Sequence, residues 1–359
     1  MEIFSYEWYE RGVVYIITKN IKKSIIKSYK FSVMYISPLL LIMENLFSKF
    51  LKNELIILFV HYYPVVPNSS QEKVILENLQ YLKDNCNVIS FNEAIFKLEN
   101  NFDLPKRSVA IIVDDATKSF YDVGFNLLLA SKLPFTLAII PGLIESDSIE
   151  HFLAKLMRIA GHQYYLPHKQ MLKLAWEKLG NEINNSITFN DIFMAARILS
   201  KEELINLLQI LNIPNDKFMT WDELRSVKLT GRVEFASHTM SHPLLKFSTG
   251  EWLSWELQRS KELIESNLNL NVNSLILPYG GLENIHQELK TELRNNNYKH
   301  SVLTEFGSVS INTSRYLIPR MNGEVNSIHF KAMTSPLITK LFFPFLNSSK
   351  NKEERIYNK

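Results

Sequence analysis

The 359-residue chain has a single cysteine, Cys86, which excludes an internal disulfide and favours a reducing compartment. It also has no charge excess. Its 40 Lys and Arg residues face 37 Asp and Glu residues, for a net charge of +3. A dedicated nucleic-acid binder would be far more basic, so that class of partner is excluded. Long apolar runs are missing too. The longest, Phe31 to Met43, is shorter than the roughly 20 residues a membrane-spanning helix needs. The opening stretch, MEIFSYEWYERGVV, has acidic residues where an export signal has lysine, and no apolar core leads to a small-residue cleavage site. The expectation is therefore no export signal and a cytoplasmic setting, at the inner face of the membrane if the N-terminal segment binds lipid. There is no internal repeat or low-complexity tract. What is present is an ordinary globular composition, 46% hydrophobic and 21% charged, enough for one large core and an appendage.

Residues 1–52 are expected to form a helical N-terminal extension interrupted at Pro38. Lys19, Lys22, Lys23, Lys27 and Lys30 lie mostly off the face shared by Ile21, Ile25 and Tyr29. Two readings stay open: peripheral contact of residues 19–43 with an anionic membrane, or a helix docked on the main domain with its lysines solvated. From residue 54 the pattern changes. ELIILFVHYY, CNVIS, SVAIIVDD, LPFTLAIIPG, VEFASHTMSH and VNSLILPYGG are short apolar runs separated by amphipathic helical patterns, with HSVLTEF and YLIPRMN as later short strands. Continuous apolar strands alternating with helices predict parallel strands covered by helices, an α/β layer or barrel fold. Between about 143 and 230 the rhythm breaks into helical patterns alone, read as an insertion in a domain spanning 53–330. One of these helices starts with a capping box at Ser200 and Glu203. Residues 331–359 form a C-terminal segment with a polar tail.

Three strand ends carry candidate chemistry: Asp114–Asp115, His238–His242 and Pro278–Tyr279–Gly280. Functional groups of such folds gather at the carboxyl ends of strands. Adjacent strand residues face opposite ways, but at a strand end both aspartates can reach one pocket, one as a metal ligand and the other as a base. The alternative is a helix cap plus a solvated carboxylate. The histidines are four apart, the spacing of one helical turn, which lets both imidazoles face one point. Two histidines and a carboxylate make an open metal site with positions left for water and substrate. Without the carboxylate, the pair reads equally well as one core and one surface histidine.

These residues bring the sequence to a known family. In order, IVDD (112–115), HTMSH (238–242) and ILPYG (276–280) resemble the T-F-D-D, H-[ST]-x-x-H and R-x-P-Y-G motifs of the polysaccharide deacetylases, carbohydrate esterase family 4. Weaker similarities are LFVHYY, VISFNEAI, TLAIIPG, MTWDELR and LIPRM, so the resemblance covers roughly 54–325. It implies a distorted (β/α) barrel of about seven strands. It implies that Asp115, His238 and His242 hold a divalent metal, zinc in the first place, with nickel, cobalt, manganese or iron also accepted. By the same resemblance Asp114 is the general base, the backbone N–H of Tyr279 stabilises the oxyanion, and the Pro278, Tyr279 and Gly280 turn lines the substrate.

The sequence departs from the family pattern at Val113, Ala116 and Ile276. A glycine is usual at 116, where alanine resists some backbone conformations. Ile276 replaces the arginine that pairs with the base, and Arg320 is expected to contact Asp114 in its place. The late L-x-H motif that supplies a general acid is missing, and His329 matches it poorly. His61, at the end of the first strand, is either that acid or a core histidine. Trp221, Trp252 and Trp255 are candidates for stacking on sugar, although Trp252 and Trp255, three apart on a helix, have core spacing. The expected function is removal of N-acetyl groups from an amino-sugar glycan or lipid-linked precursor in bacterial cell-surface polysaccharide metabolism. The alternative is a catalytically silent relative that binds a glycan or a partner.

Overall fold

β1 (Leu55–Val60), β3 (Ser108–Val113), β4 (Phe135–Ile139), β5 (Val233–Ser237), β6 (Ser274–Ile276), β7 (His300–Val302) and β8 (Met321–Asn322) pair in the order β7-β6-β5-β4-β3-β1-β8, and the two-residue β2 (Asn87–Val88) joins β3. All pairings are parallel. The computed structural model describes residues 44, 51–61, 67, 69–160, 189–210 and 217–342. Most of the expected N-terminal extension, the segment 19–43 included, lies outside them, as do the helical pattern QMLKLAWEKLG and the polar tail. Between the edge strands, Val302 bridges to Ile318 and Leu303 N–H donates to Ile318 O at 2.7 Å. The chain before β8 thus spans the seam of a distorted α/β barrel.

Period-two alternation divides the strands between two cores. Ile56, Leu58 and Val60 of β1, with Val109, Ile111 and Val113 of β3, pack in the larger cluster. It includes residues of α1 (Ser70–Asn85), α3 (Phe125–Ser131), α7 (Trp221–Leu229) and α8 (Gly250–Leu268). Leu55, Ile57, Ala110, Ile112, Ala138, Ala236 and Ile276 take the other parity and fill the barrel interior, plugged by Phe91, Ala94, Ile95 and Leu98 of α2 (Phe91–Glu99). Small alanines on adjacent strands leave room for that plug.

The insertion contains α4 (Ile149–Ala160), α5 (Phe189–Ala196) and α6 (Lys201–Ile210). The capping box forms as the sequence predicts. Ser200 N–H donates to Glu203 Oε2 at 2.9 Å and Glu203 N–H to Ser200 Oγ at 3.2 Å. Phe193, Leu156, Leu204 and their neighbours gather around Trp252 of α8. Trp252 is fully buried and so belongs to the core, and Trp255 and Trp221 are half-buried against core clusters.

After α9 (Leu289–Asn295) and β8, the chain continues into α10 (Ser327–Met333) and α11 (Pro336–Phe342). α10 crosses the expected domain end at 330, with Phe330 and Met333 in the main core. The domain therefore extends past that boundary. Glu44, buried, accepts from Arg107 Nη1 at 2.9 Å and from Ser335 Oγ at 2.5 Å, tying chain before β1 to the turn before α11.

The turn after β4 depends on a glycine. A Cβ on Gly142 would lie 2.4 Å from Met240 O and 2.6 Å from the Ala154 Cβ. Gly142→Ala should lower stability by roughly 1–3 kcal/mol through overpacking, read as a lower urea midpoint at unchanged slope.

Candidate metal centre

Strand register assembles the site. Val60 is opposite Val113, so His61 and Asp114 are the next residues on neighbouring strands, and Asp114 N–H donates to Val60 O at 2.9 Å. Ile139 is opposite Ser237, and His238 N–H donates to Ile139 O at 2.7 Å. His61, Asp114 and His238 continue the parity of Ile57, Ile112 and Ala236, the interior-facing residues, and so point into the mouth of the barrel.

Asp115 has the opposite parity and would face outward in a continued strand. Instead the backbone leaves the strand with φ 72° at Asp115 and 51° at Ala116. This left-handed turn brings the second carboxylate back to the barrel mouth. It also gives a physical meaning to position 116, where alanine sits in a region glycine occupies at no steric cost. The histidine pair converges by a related route. The spacing suggested a helical turn, but residues 238–242 are not helical. Thr239 and His242 are left-handed, with φ 66° and 62°, and this loop brings the two imidazole centroids to 4.8 Å.

His238 Nε2 and His242 Nε2 each lie 3.4 Å from Asp115 Oδ1, and one ligand atom from each residue falls within a 4.8 Å cluster. His238 Nδ1 donates to Ile276 O at 2.7 Å. A carbonyl only accepts, so the ring proton sits on Nδ1 and the Nε2 lone pair points at Asp115. Burial lowers the His242 pKa to about 3, which keeps that ring neutral with a lone pair to offer. Burial works against an ionised Asp115, but the His238 and His242 imidazoles beside it outweigh burial and hold the carboxyl below its usual range. Two imidazoles and one carboxylate converging in a buried pocket fit a divalent cation.

Asp114 is buried apart from this ligand set. Arg320 Nη1 donates to Asp114 Oδ1 at 2.7 Å and Arg320 Nε to Leu303 O at 2.7 Å, with the guanidinium 4.6 Å from the Phe59 ring centroid. Burial pushes the Asp114 pKa up, but the Arg320 charge and hydrogen bond, with His238 and His61, bring it below the ordinary carboxylate value. His61 Nε2 lies 3.9 Å from Asp114 Oδ2, while His61 Nδ1 is 3.2 Å from Glu324 Oε2 and His61 N–H donates to Glu324 Oε1 at 2.6 Å. Burial opposes charge on His61, yet the Glu324 bond and the carboxylates of Asp114 and Asp115 raise its pKa to about 9.

The Tyr279 ring packs against His242 at 4.9 Å, and its backbone is left-handed at φ 50°. Gly280 lets the turn close, since a Cβ would meet Leu277 O at 2.9 Å and Thr304 N at 3.1 Å. Pro278, which starts this turn, is buried. His329 is instead engaged at the start of α10, its Nδ1 2.7 Å from the Asn326 side-chain oxygen. A cavity of about 630 Å³ is lined by His300, Arg294 and Arg315, and His300 opens β7, so it lies at the amino ends of the strands, away from this cluster.

Sequence reasoning passed over Glu324 and Glu256. Glu324 is brought to His61 by the β8–β1 register, with Phe59 opposite Asn322. Glu256 has the pattern of an ordinary helix residue until the histidine loop packs on it. In Arg320→Ala protein, burial of Asp114 is unopposed by the guanidinium. Its pKa should rise, measured from the carboxyl carbon shift across pH, and an unchanged value would refute the pairing.

A family profile described as polysaccharide deacetylase matches residues 102–300, more than half of the chain. No curated protein is found to match the sequence. Among solved structures the chain is similar to the Streptococcus pyogenes deacetylase PplD in complex with acetate, at 18% identity and a TM-score of 0.53, covering 79% of this chain and 99% of that one. It is similar to IcaB from Ammonifex degensii at 15% identity and a TM-score of 0.50, over 80% of this chain and 97% of that one. A third similar structure is BC0361, a polysaccharide deacetylase from Bacillus cereus, at 13% identity and a TM-score of 0.50, with 79% and 69% covered. At these identities the structural likeness concerns the fold alone. The profile itself spans Asp114, Asp115, His238, His242 and the Pro278–Gly280 turn. With its motifs in order on the strand ends, the chain belongs to the polysaccharide deacetylase family.

Proposed function

We propose that the chain is a metal-dependent hydrolase that removes N-acetyl groups from an amino-sugar-containing glycan or lipid-linked sugar precursor. The observation that carries this reading is the convergence of Asp115, His238 and His242 beside a second, separately held carboxylate, Asp114. A divalent cation held by the three ligands, zinc in the first place, supplies a Lewis acid that polarises the amide carbonyl and acidifies water. Nickel, cobalt, manganese and iron accept the same donor set.

The chain's own groups do the rest. Asp114, oriented by Arg320 and kept ionised, takes a proton from the attacking water. Water oxygen bonds to the carbonyl carbon, and the negative charge on the former carbonyl oxygen faces the backbone N–H of Tyr279. The C–N bond then breaks. His61, protonated at neutral pH and oriented by Glu324, gives its proton to the departing nitrogen. Acetate and a free sugar amine result. The pairing of Arg320 with Asp114 supplies what Ile276 cannot, and this favours an active enzyme over a silent relative.

The setting is proposed from sequence: a cell-envelope polysaccharide pathway acting at the inner face of the membrane, with the basic segment 19–43 contacting anionic lipid. Among the described residues no helix is long and apolar enough to cross a membrane. Replacing Lys19, Lys22, Lys23, Lys27 and Lys30 with glutamine should abolish co-sedimentation with phosphatidylglycerol vesicles while leaving hydrolysis of soluble substrate unchanged.

The deciding experiment measures bound zinc and acetate release from N-acetylated chito-oligosaccharides. Wild type should bind one zinc and release acetate, and chelation should stop the release. His238→Ala should lose the metal. Asp114→Asn should keep it and fall by about 10²–10⁴ in kcat. Zinc bound at full occupancy without hydrolysis of any acetylated glycan would overturn the enzymatic reading. Glu324→Gln should lower the His61 pKa. Because the acid must be protonated, activity should then fall off at lower pH on the alkaline side.

A further inference from the structure

Glu256 lies in the middle of α8 and is completely buried. Its carboxylate faces four donors. Oε2 accepts from the backbone N–H groups of Met240 and Ser241, both at 2.9 Å. Oε1 accepts from Ser241 Oγ at 2.5 Å and from Trp252 Nε1 at 2.8 Å. Three of the four come from the residues between the two histidines of the candidate metal centre. That loop contains two left-handed residues, Thr239 and His242, a strained conformation that persists only where the surroundings impose it. The opposite side of the loop is held by Gly142, whose N–H donates to Met240 O at 3.2 Å. The fourth donor, Trp252, is the side chain around which the inserted helices α4, α5 and α6 pack, and its backbone N–H donates to Asn190 Oδ1 at 3.2 Å.

We propose that Glu256 is a positioning residue, whose carboxylate holds the loop 239–241 in the strained form that aims His238 and His242 at one point and ties that loop through Trp252 to the inserted helices. The insertion is then a buttress of the metal centre. The arrangement requires an acceptor-only group, because all four partners donate. A glutamine of the same shape would turn an N–H₂ group against N–H donors and leave buried polar atoms unmatched. Burial raises the Glu256 pKa to about 7, and the hydrogen bonds from Ser241, Trp252 and Met240 pull against that rise.

The metal-affinity part of this inference rests on the function proposed above, and the loop-holding part does not. The test uses the full-length chain. Amide hydrogen exchange is read at Met240 and Ser241 in metal-free wild type and in Glu256→Gln, and zinc affinity is read by chelator competition. Both amides should exchange about tenfold faster in the variant while core strand amides such as Ile112 are unchanged, and zinc should bind about 10–100-fold more weakly. Ser308→Ala, which removes a buried hydrogen bond to Glu54 far from the loop, controls for general destabilisation and should keep wild-type zinc affinity. Wild-type exchange at Met240 and Ser241 in Glu256→Gln overturns the proposal, as does an affinity loss no greater than that of Ser308→Ala. If Glu256→Gln does not fold, Ser241→Ala decides. Removing its single hydroxyl donor should weaken zinc several-fold and speed exchange at Met240, and no change in either overturns the inference. Wild type that binds no zinc refutes the metal reading instead, and the exchange measurement still decides the role of Glu256.

Discussion

Two adjacent carboxylates, Asp114 and Asp115, are buried at the end of the interior strand β3, and the rest of the barrel mouth is arranged to offset their charge. Each alone would be driven toward its neutral form by desolvation. The protein answers the two differently. Asp114 receives a permanent cation, the Arg320 guanidinium, held in turn by Leu303 O and the Phe59 ring. Asp115 faces two imidazoles, each with its Nε2 3.4 Å from Oδ1. Equal chemistry at neighbouring positions thus becomes an arginine-paired carboxylate on one side and a carboxylate facing two imidazoles on the other. The difference is set by which donors reach each group.

That division depends on backbone conformations that regular strands cannot supply. Asp115, Ala116, Thr239, His242 and Tyr279 are all left-handed, and all lie at the carboxyl ends of β3, β5 and β6. The parallel sheet delivers these residues to one rim, and the strained turns then rotate their side chains toward a common point. Such turns persist because packed neighbours impose them. Gly142 leaves space for the histidine loop, Gly280 for the Tyr279 turn, and the Glu256 carboxylate accepts from the loop amides. Rigidity at the site is therefore spread across elements distant in sequence, including the helical insertion.

Much of this was legible in the residues. Continuous apolar runs ending in Asp, His or Pro-Tyr-Gly marked the strands and their functional ends, because a buried parallel strand must be apolar throughout and can carry polar groups only where it stops. Arg320 was identifiable as a partner for Asp114, since Ile276 left a buried carboxylate without its usual cation. The four-residue spacing of His238 and His242 pointed to a helical turn, and the structure shows a left-handed loop instead. Spacing fixes how far apart two residues can be, but not the dihedrals between them. Glu324 and Glu256 gave no local signal. A glutamate near a chain turn or within an amphipathic helix has the pattern of a solvated residue until another element packs against it.

By itself, then, the sequence determined the succession of strands and helices, the strand ends that carry functional groups, and the donor types available for a cation. These follow from local periodicity and side-chain chemistry. The tertiary structure decided which strand faces turn His61, Asp114 and His238 inward, how Asp115 turns back to join the histidines, and which distant glutamates contact His61 and the histidine loop. Those outcomes depend on register between strands and on packing across the barrel, where residues hundreds of positions apart come within hydrogen-bonding distance, and no local pattern encodes such a meeting.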